Sequence, residues 1–231
     1  MAILKKITFP DPEQADPDGI VCWSFDMDWQ WVLSAYWTGI FPWPCDEKHV
    51  LWFAPDPRAV LDFNEFTLHK RTLRAFRQKK FEFRINTAFE QVIRACAAVP
   101  RKDQQGTWIT EKIVQAYIQA HRAGFAWSFE TFNAENKLVG GMYGIRIGNF
   151  VSGESLFHLE SEASRFALAN AVAYLKEQGI TWMDIQVLND FTATFGGKNI
   201  TRPEFMNRLK TVLPADLDDF MRTCGHQLEQ F

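Results

Sequence analysis

Apolar residues recur at helical spacing in several segments of the chain. This spacing predicts a short helix from Asp28, as its N-cap, to about residue 37, and a long helix over residues 162–178. Between them, a capping box of Thr87 and Glu90 opens one predicted helix, and Thr110 opens another. The positions predicted to face inward on these two middle helices are Phe89, Val92, Ile93, Cys96, Ile113, Ala116, Tyr117 and Ala120.

Other segments alternate with the period of a strand. In residues 125–129, aromatic side chains alternate with small or polar ones, which predicts a half-buried strand. Residues 137–147 and 150–157 form a predicted hairpin, because the Gly148-Asn149 pair between them favours a two-residue turn. A further strand is predicted over residues 181–187. Helices and strands mixed in this order predict an α+β fold.

We expect the chain to contain two domains. The segment WFAPDPRAVL, which begins at Trp52, contains two prolines among turn-forming residues, and we place a boundary there. This gives a small N-terminal domain over residues 1–57 and a larger domain over residues 58–231. No internal repeat or low-complexity tract interrupts either part.

The composition is that of a globular chain long enough to bury a core. Of the 231 residues, 47% are hydrophobic and 23% are charged, which excludes a disordered class. No apolar run reaches the roughly 18 residues of a membrane helix and no N-terminal signal segment is evident, so we expect a cytoplasmic protein without a membrane partner. Aromatic residues make up 15%, including 21 Phe and 9 Trp; packing, apolar pockets or stacking surfaces would each account for them.

The cysteines and histidines predict neither disulfides nor a metal site. The four cysteines form no CxxC pair, and the five histidines show no ligand spacing such as HExxH. We therefore expect reduced thiols and no metal or other cofactor. The cysteines are Cys22, Cys45, Cys96 and Cys224.

The net charge of −3 is distributed unevenly. From His69 to Arg84, seven basic residues stand against one acidic residue, a local charge of +6 that leaves −9 for the remainder. If residues 69–78 are helical, basic side chains form one stripe while Leu73 and Phe76 face inward. A solvated charged face and a contact with nucleic-acid phosphates both fit this pattern. The candidate phosphate contacts are Lys70, Arg71, Arg74, Arg77, Lys79 and Lys80.

The strand predicted over residues 181–187 contains polar side chains in an apolar setting. Asp184 and Gln186 alternate onto one face, and a buried Asp is unfavourable unless it is hydrogen-bonded. One interpretation is a satisfied structural network. The other is a carboxylate held by an amide and able to accept or orient a proton.

The predicted hairpin carries a second acidic residue of this kind. Glu154 stands among small and apolar residues of the second arm. With a regular two-residue turn, Tyr143 lies opposite Glu154, whereas a bulge near Gly140 or Gly144 breaks that register. Glycines in a strand also allow a ligand or another backbone to come close.

Six short motifs follow one another along most of the chain. They are GIFPW from Gly39, WFAPDPRAVL from Trp52, GTWIT from Gly106, LVGGMYG from Leu138, GESLF from Gly153 and DIQVLND from Asp184. Together, and at matching spacing from about Phe9 to beyond Arg208, they resemble the leucyl/phenylalanyl-tRNA–protein transferases. The resemblance implies a small N-terminal α/β domain followed by a domain similar to the Gcn5-related acetyltransferases. It also implies transfer of Leu or Phe, less readily Met, from aminoacyl-tRNA to proteins with N-terminal Arg or Lys, which marks them for degradation.

The same resemblance implies roles for individual residues. It places Asp184 and Gln186 at the reacting centre with Glu154 beside them, and Met142 at the amino-acid pocket. The other implied substrate-binding residues are Trp43, Trp108, Tyr36 and Tyr143. We hypothesise that Asp184, acting with Gln186, assists removal of a proton from the attacking amine, although the substrate itself could carry more of that transfer.

The binding of both substrates can be predicted in outline. Trp43 or Trp108 is a candidate to stack on the terminal adenosine of the tRNA, with core packing as the alternative. The basic stretch becomes the favoured contact with the tRNA backbone, and the acidic remainder suits the cationic first residue of the acceptor.

Some positions depart from the family pattern, and two other functions compete. Ser24-Phe25 replaces a Gly-Gly pair ahead of Asp26. His158 and Leu159 also depart from the family pattern, in a segment that continues to the ASR of residues 163–165.

A CoA-dependent acetyltransferase needs a glycine-rich pyrophosphate loop, which GESLFHLESEASR lacks. A non-catalytic module that binds tRNA or a degradation signal is the second competitor.

Overall fold

The computed structural model describes residues 5–44, 48–68, 70–99 and 108–229, and these residues form two compact units. Unit 1 comprises Met1–Arg58, Pro100–Ala126 and Ile200–Phe231. Unit 2 comprises Ala59–Val99 and Trp127–Asn199. The division into domains over residues 1–57 and 58–231 stays a prediction.

Helices and strands are mixed along the chain, which confirms the α+β class. The strands are β1 (Ile20–Ser24), β2 (Phe41–Pro44), β3 (Val50–Phe53), β4 (Arg58–Asp62), β5 (Phe81–Ile85), β6 (Ala126–Asn133), β7 (Leu138–Ile147), β8 (Phe150–His158), β9 (Trp182–Gln186) and β10 (Lys198–Ile200). The helices are α1 (Trp29–Trp37), α2 (Lys70–Arg77), α3 (Phe89–Ala98), α4 (Glu111–Arg122), α5 (Ala163–Glu177), α6 (Asp190–Ala193), α7 (Arg202–Val212) and α8 (Leu217–Leu228).

Unit 1 contains a three-stranded antiparallel sheet with the order β1-β3-β2. Trp52 on β3 is buried in a core beside Phe9 and Trp31, with ring centroids 4.9 and 5.7 Å away. Helix α1 begins at the predicted cap, because Asp28 accepts a hydrogen bond of 2.8 Å from the backbone N–H of Gln30. Part of the aromatic excess is therefore ordinary packing.

Helix α4 of unit 1 also confirms its prediction. It begins after Thr110, whose hydroxyl accepts from the backbone N–H of Ile113, and Gly124 follows its end with a φ of +88°. The residues predicted to face inward on this helix are all buried. Local capping and periodicity were sufficient signals here.

Unit 2 is built on a mixed seven-stranded sheet with the order β10-β4-β9-β8-β7-β6-β5. Strands β8 and β9 run parallel, while the β4–β9, β5–β6 and β7–β8 pairs are antiparallel. The predicted hairpin is confirmed, since Ile147 pairs with Phe150 across the turn at Gly148. Helix α5 is confirmed as well, and its residues Leu168 and Val172 lie in the hydrophobic core of this unit.

Two predictions near Glu130 are wrong. Strand β6 is not half-buried, because Ser128 and Glu130 are buried as completely as their apolar neighbours. The Glu130 carboxylate accepts hydrogen bonds from the backbone N–H and the hydroxyl of Thr87 and from the Ser128 hydroxyl. Thr87 therefore does not cap α3, whose N-cap Ala88 makes no side-chain hydrogen bond. A buried carboxylate such as that of Glu130 must accept hydrogen bonds, and Thr87 and Ser128 are held in place as its donors.

Candidate active site

A buried hydrogen-bonded cluster joins β8 to β9 within unit 2. The amide nitrogen of Gln186 donates to Oε1 of Glu154 at 2.9 Å and to the hydroxyl of Ser152 at 3.1 Å. The Ser152 hydroxyl in turn donates to the same Glu154 oxygen at 2.7 Å. A carboxylate only accepts, so the nitrogen of the Gln186 amide must face Glu154 and its carbonyl oxygen must face away.

A β-bulge presents Glu154 to this cluster. On the β7–β8 ladder, Tyr143 pairs with Ser155 and Gly144 pairs with Gly153, so Glu154 is the extra residue between two pairs. The regular register, with Tyr143 opposite Glu154, is therefore wrong. The alternative of a bulge at Gly144 is confirmed.

The bulge depends on a close backbone approach at Gly144. A Cβ atom added there would lie only 2.1 Å from the carbonyl oxygen of Ser152. Ser152 also pairs with Asp184 where β8 and β9 run parallel. The glycine thus lets the strand that carries Ser152 and Glu154 bend beside Asp184.

The backbone at Gln186 is held in an uncommon conformation. Gln186 has a φ of +59°, and the N–H of Val187 donates to the carbonyl of Ile185 at 2.7 Å, the i to i+2 bond of a γ-turn. Asp184 stabilises this turn because its Oδ1 accepts the backbone N–H of Gln186 at 2.9 Å. Asp184 is fully buried. Conformations of this kind in non-glycine residues cluster at functional sites.

Met142 and Tyr143 lie on the neighbouring strand β7. Met142 is buried in the core of unit 2, and a Cβ atom on Gly153 would lie 3.4 Å from its methyl carbon. Tyr143 is also buried, and its ring meets that of Phe89 edge-on at 6.1 Å. The structure thus brings Met142 beside the strand segment of Glu154, while their substrate-binding roles stay predictions.

The other predicted aromatic substrate residues, Trp43, Trp108 and Tyr36, belong to unit 1. The rings of Trp43 and Trp108 stack on each other, with centroids 5.4 Å apart and planes inclined by 13°. Trp108 is buried, whereas Trp43 is half-buried. Tyr36 is fully buried and its hydroxyl lies 2.9 Å from that of Tyr117. Residues 106–107 of the GTWIT motif lie outside the described residues.

The basic stretch forms helix α2 and the turn after it. Thr72 and Phe76 are residues of α2 that contact the rest of unit 2. The Thr72 hydroxyl donates to Glu162 at 2.7 Å, and the ring of Phe76 packs on that of Phe166. Leu73 is 41% exposed, so the prediction that it faces inward is wrong. His69 lies outside the described residues. Within the basic stretch, the cations predicted to contact phosphates are all exposed. They are Lys70, Arg71, Arg74, Arg77, Lys79 and Lys80.

Lys80, after the end of α2, forms an ion pair. Its ammonium group lies 2.9 Å from the carboxylate of Glu160. The pKa of Glu160 is lowered by hydrogen bonds from Asn133 and from Lys80. This ion pair makes Lys80 less available to a phosphate.

Comparison with known proteins identifies the family. The family model for the leucyl/phenylalanyl-tRNA–protein transferase matches residues 60–210, and the model for the N-terminal domain of this transferase matches residues 25–56. The chain belongs to the leucyl/phenylalanyl-tRNA–protein transferase family. It is therefore an enzyme, a transferase that uses aminoacyl-tRNA and a protein as substrates.

Relatives that carry this family name are similar over most of their length. The transferase is 39% identical to the protein of Pseudoalteromonas atlantica, over 93% of this chain and 92% of that protein. It is 44% identical to the protein of Xanthomonas oryzae pv. oryzae, over 86% of this chain and 80% of that protein.

A solved structure gives a weaker match. L-PGS from Bacillus licheniformis is 17% identical with a TM-score of 0.37, over 65% of this chain and 48% of that one. A likeness this low carries no argument about fold or function.

Ser152 is the member of the cluster that the sequence analysis missed. It stands two residues before Glu154 in VSGES, a spacing that places alternate strand residues on one face. The spacing of Ser152 and Glu154 in the sequence could have indicated that the two side chains meet. That indication holds only if the bulge after Gly153 leaves both side chains on the same face of the sheet. In the transferase, Ser152 bridges the side chains of Glu154 and Gln186.

Two further features of the transferase concern metals and membranes. Within residues 5–44, 48–68, 70–99 and 108–229, no three His, Cys, Asp or Glu side chains are grouped so that they could hold a metal ion. In the same part of the chain, no helix has the length and apolar character needed to cross a membrane.

Proposed function

We propose that this transferase moves leucine or phenylalanine, and less readily methionine, from aminoacyl-tRNA to proteins that begin with Arg or Lys. The names of the relatives support the two donors. The acceptor is the α-amine of the protein, and the product is marked for degradation in the cytoplasm by its new N-terminal residue. The acidic charge of −9 outside residues 69–84 suits a cationic acceptor.

The observation that carries the proposed chemistry is the hydrogen-bonded turn at Gln186. The reaction forms an N–C bond between the α-amine and the aminoacyl carbonyl and breaks the ester bond to the terminal ribose. The amine loses one proton and the ribose oxygen gains one. An α-amine with a pKa of about 7.7–8.0 is partly neutral near pH 7, and the ester is already activated, so positioning and a modest base suffice.

The buried side chains have complementary tasks in this proposal. Gln186 directs its carbonyl oxygen at the attacking amine, because Glu154 and Ser152 hold its nitrogen. Asp184 holds the turn through the backbone N–H of Gln186 and assists removal of the amine proton. Met142 lines the pocket for the apolar amino-acid side chain, and Tyr143 is a further substrate-binding residue.

The tRNA is proposed to contact both units. Trp43 or Trp108 stacks on its terminal adenosine, and helix α2 of unit 2 contacts its phosphates. We further propose that unit 2 is similar to the Gcn5-related acetyltransferases. The parallel β8–β9 pair in an otherwise largely antiparallel sheet supports that arrangement.

A transfer assay tests this function directly. Radiolabelled Leu-tRNA and Phe-tRNA are mixed with peptides that differ only in their first residue, Arg, Lys, Ala or Asp. We expect label to enter the Arg and Lys peptides alone. Equal labelling of all four peptides would refute the proposed acceptor, and binding without transfer would favour a non-catalytic module. Calorimetry with acetyl-CoA should show no binding, because GESLFHLESEASR lacks the glycine-rich loop.

A further inference from the structure

Unit 1 exposes two aromatic rings that the proposed chemistry does not use. Trp23 and Phe25 are each 58% exposed, and among the residues the structure describes they are the only aromatic residues exposed to this degree. Their ring centroids lie 5.1 Å apart, and the ring of His49 lies 5.0 Å from Phe25 and 5.8 Å from Trp23. Exposed apolar rings that lie together, as those of Trp23 and Phe25 do, are typical of a surface that binds a ligand or partner.

The backbone beneath these rings is firmly anchored. The Ser24 hydroxyl accepts from the indole N–H of Trp52 at 2.9 Å and donates to the carbonyl of Asp26 at 2.8 Å. The Lys112 ammonium group donates to the carbonyl of Phe25 at 2.9 Å. Trp23 and Phe25 therefore lie on a segment that is already held in place. Binding of a ligand to these rings costs little conformational entropy of the backbone.

Strand register places Trp23 in one row with a proposed tRNA contact. Trp23 on β1 pairs with Leu51 on β3, and Leu51 pairs on its other side with Trp43 on β2. Residues paired across antiparallel strands point to the same face of the sheet. Trp43 in turn stacks on Trp108. The face opposite the Trp52 core thus carries Trp43 and Trp23 in one row, with Leu51 between them and Trp108 stacked on Trp43.

The spacing of this row matches a short run of nucleotides. Two strand spacings of about 4.8 Å separate the backbones of Trp23 and Trp43 by roughly 10 Å. A stacked strand advances about 3.4 Å per nucleotide, so this distance corresponds to two or three nucleotides. Aromatic residues on a sheet face bind single-stranded RNA in this way, by stacking on successive bases.

We propose that Trp23 and Phe25 bind the unpaired 3′ end of the tRNA by stacking on bases two or three nucleotides before the terminal adenosine. The inference rests on the proposed function in one respect, the placement of that adenosine at Trp43 or Trp108. Stacking is the proposed mode of recognition because the exposed groups on this segment are aromatic rings.

The test is a double-mutant cycle on RNA binding. The probe is an RNA hairpin that copies an acceptor stem with its four unpaired 3′ nucleotides. A second hairpin carries abasic nucleotides at the two positions that lie two and three nucleotides before the terminal adenosine. Dissociation constants are measured for the wild type, Trp23→Ala, Phe25→Ala and Trp23→Phe. Leu159→Ala is the control, since this apolar side chain is 73% exposed in unit 2.

We expect Trp23→Ala to weaken binding of the intact hairpin by roughly 5- to 100-fold, with a smaller loss for Trp23→Phe and none for Leu159→Ala. The abasic hairpin should bind weakly to the wild type, and Trp23→Ala should weaken it no further. Equal weakening of both hairpins by Trp23→Ala would overturn the proposal. Unchanged RNA binding with a raised KM for the acceptor peptide would overturn it as well and assign the surface to the acceptor.

The outcome can be separated from that of the proposed function. RNA binding is read without any transfer step, so the cycle can succeed even if the Arg and Lys peptides are not labelled. A hairpin that lacks only the terminal adenosine reports on Trp43 and Trp108 alone. Thermal unfolding of Trp23→Ala and Phe25→Ala confirms that each variant is folded, which is expected because both rings are exposed.

Discussion

The side-chain nitrogen of Gln186 lies 2.9 Å from Oε1 of Glu154, and the two residues are 32 positions apart in the sequence. This hydrogen bond fixes the side chain of a residue whose backbone is strained at a φ of +59°. In the proposed mechanism both features fix the side-chain carbonyl of Gln186, which then needs no reorganisation when the amine arrives. The bond between Glu154 and Gln186 therefore holds the amide in one orientation.

Substitutions of Glu154 should distinguish its effect on the orientation of the Gln186 amide from the effect of its own charge. We expect Glu154→Ala to lower the rate of transfer by roughly 10- to 100-fold, because a hydrogen bond to a charged acceptor is removed from a buried site. Glu154→Gln should lose less, since its amide carbonyl can still accept from Gln186. Single-turnover rates with saturating aminoacyl-tRNA measure both. Equal loss in the two variants would mean that the charge of Glu154 acts directly.

Even the smallest substitution at Gly144 should lower both stability and transfer activity. Gly144→Ala brings a Cβ atom to within 2.1 Å of the Ser152 carbonyl oxygen, so the bulge must shift and Glu154 with it. We expect a loss of about 2–3 kcal/mol in the free energy of unfolding, together with at least a tenfold loss of transfer rate. Urea unfolding and the transfer assay measure these effects.

Gly179 supplies a matched control for that variant. A Cβ atom at Gly179 meets nothing within 4 Å, although its φ of +80° disfavours other residues. Gly179→Ala should therefore lower the free energy of unfolding by about 1–2 kcal/mol and leave transfer unchanged. If Gly144→Ala behaved like this control, the bulge would not position Glu154.

Helix α2 should determine the salt dependence of tRNA binding. Replacing Lys70, Arg74 and Arg77 by Gln should weaken tRNA binding and lower the slope of log K against log salt by about 0.7–0.9 for each phosphate that is no longer neutralised. Binding measured at several salt concentrations gives the slope. A variant with Lys137 replaced by Gln, at an exposed turn, shows the effect of removing one positive charge outside α2. An unchanged slope in the α2 variant would exclude this helix from the tRNA interface.

Cys224 should be protected from alkylation in the folded transferase. Burial raises the pKa of its thiol to about 12. A higher pKa leaves less thiolate, which is the reactive form, so at pH 8 its thiolate fraction is roughly 1,000-fold below that of an ordinary cysteine. Mass spectrometry should find iodoacetamide on the Cys224 peptide only after unfolding in urea. Rapid labelling of the native protein would show that α8 does not bury this thiol.

Signals that lie within one segment predicted their elements well. Asp28 and Thr110 cap the helices that their positions indicated, and the Gly148 turn joins the predicted hairpin. The polar residues Asp184 and Glu154 could be singled out because a buried carboxylate stands out in an apolar segment. These inferences required only periodicity, caps and turn chemistry.

Contacts between distant segments could not be predicted in the same way. Thr87 bonds to the Glu130 carboxylate of a separate strand, which removes it from its expected capping box. Leu73 is exposed because Thr72 turns inward to Glu162. The positive φ of Gln186 has no local signal, since glutamine does not favour that conformation. For Thr87 and Thr72 a tertiary hydrogen bond outweighs the local preference.

The transfer rate of Asp184→Asn tests the central claim most directly. This variant keeps the shape of the side chain and an oxygen that can accept the Gln186 N–H, yet it removes the negative charge. We predict a fall of about 10²–10⁴-fold in the single-turnover transfer of Phe from Phe-tRNA to an Arg peptide, with tRNA affinity unchanged. Transfer at nearly the wild-type rate would contradict a role for Asp184 in removing the amine proton.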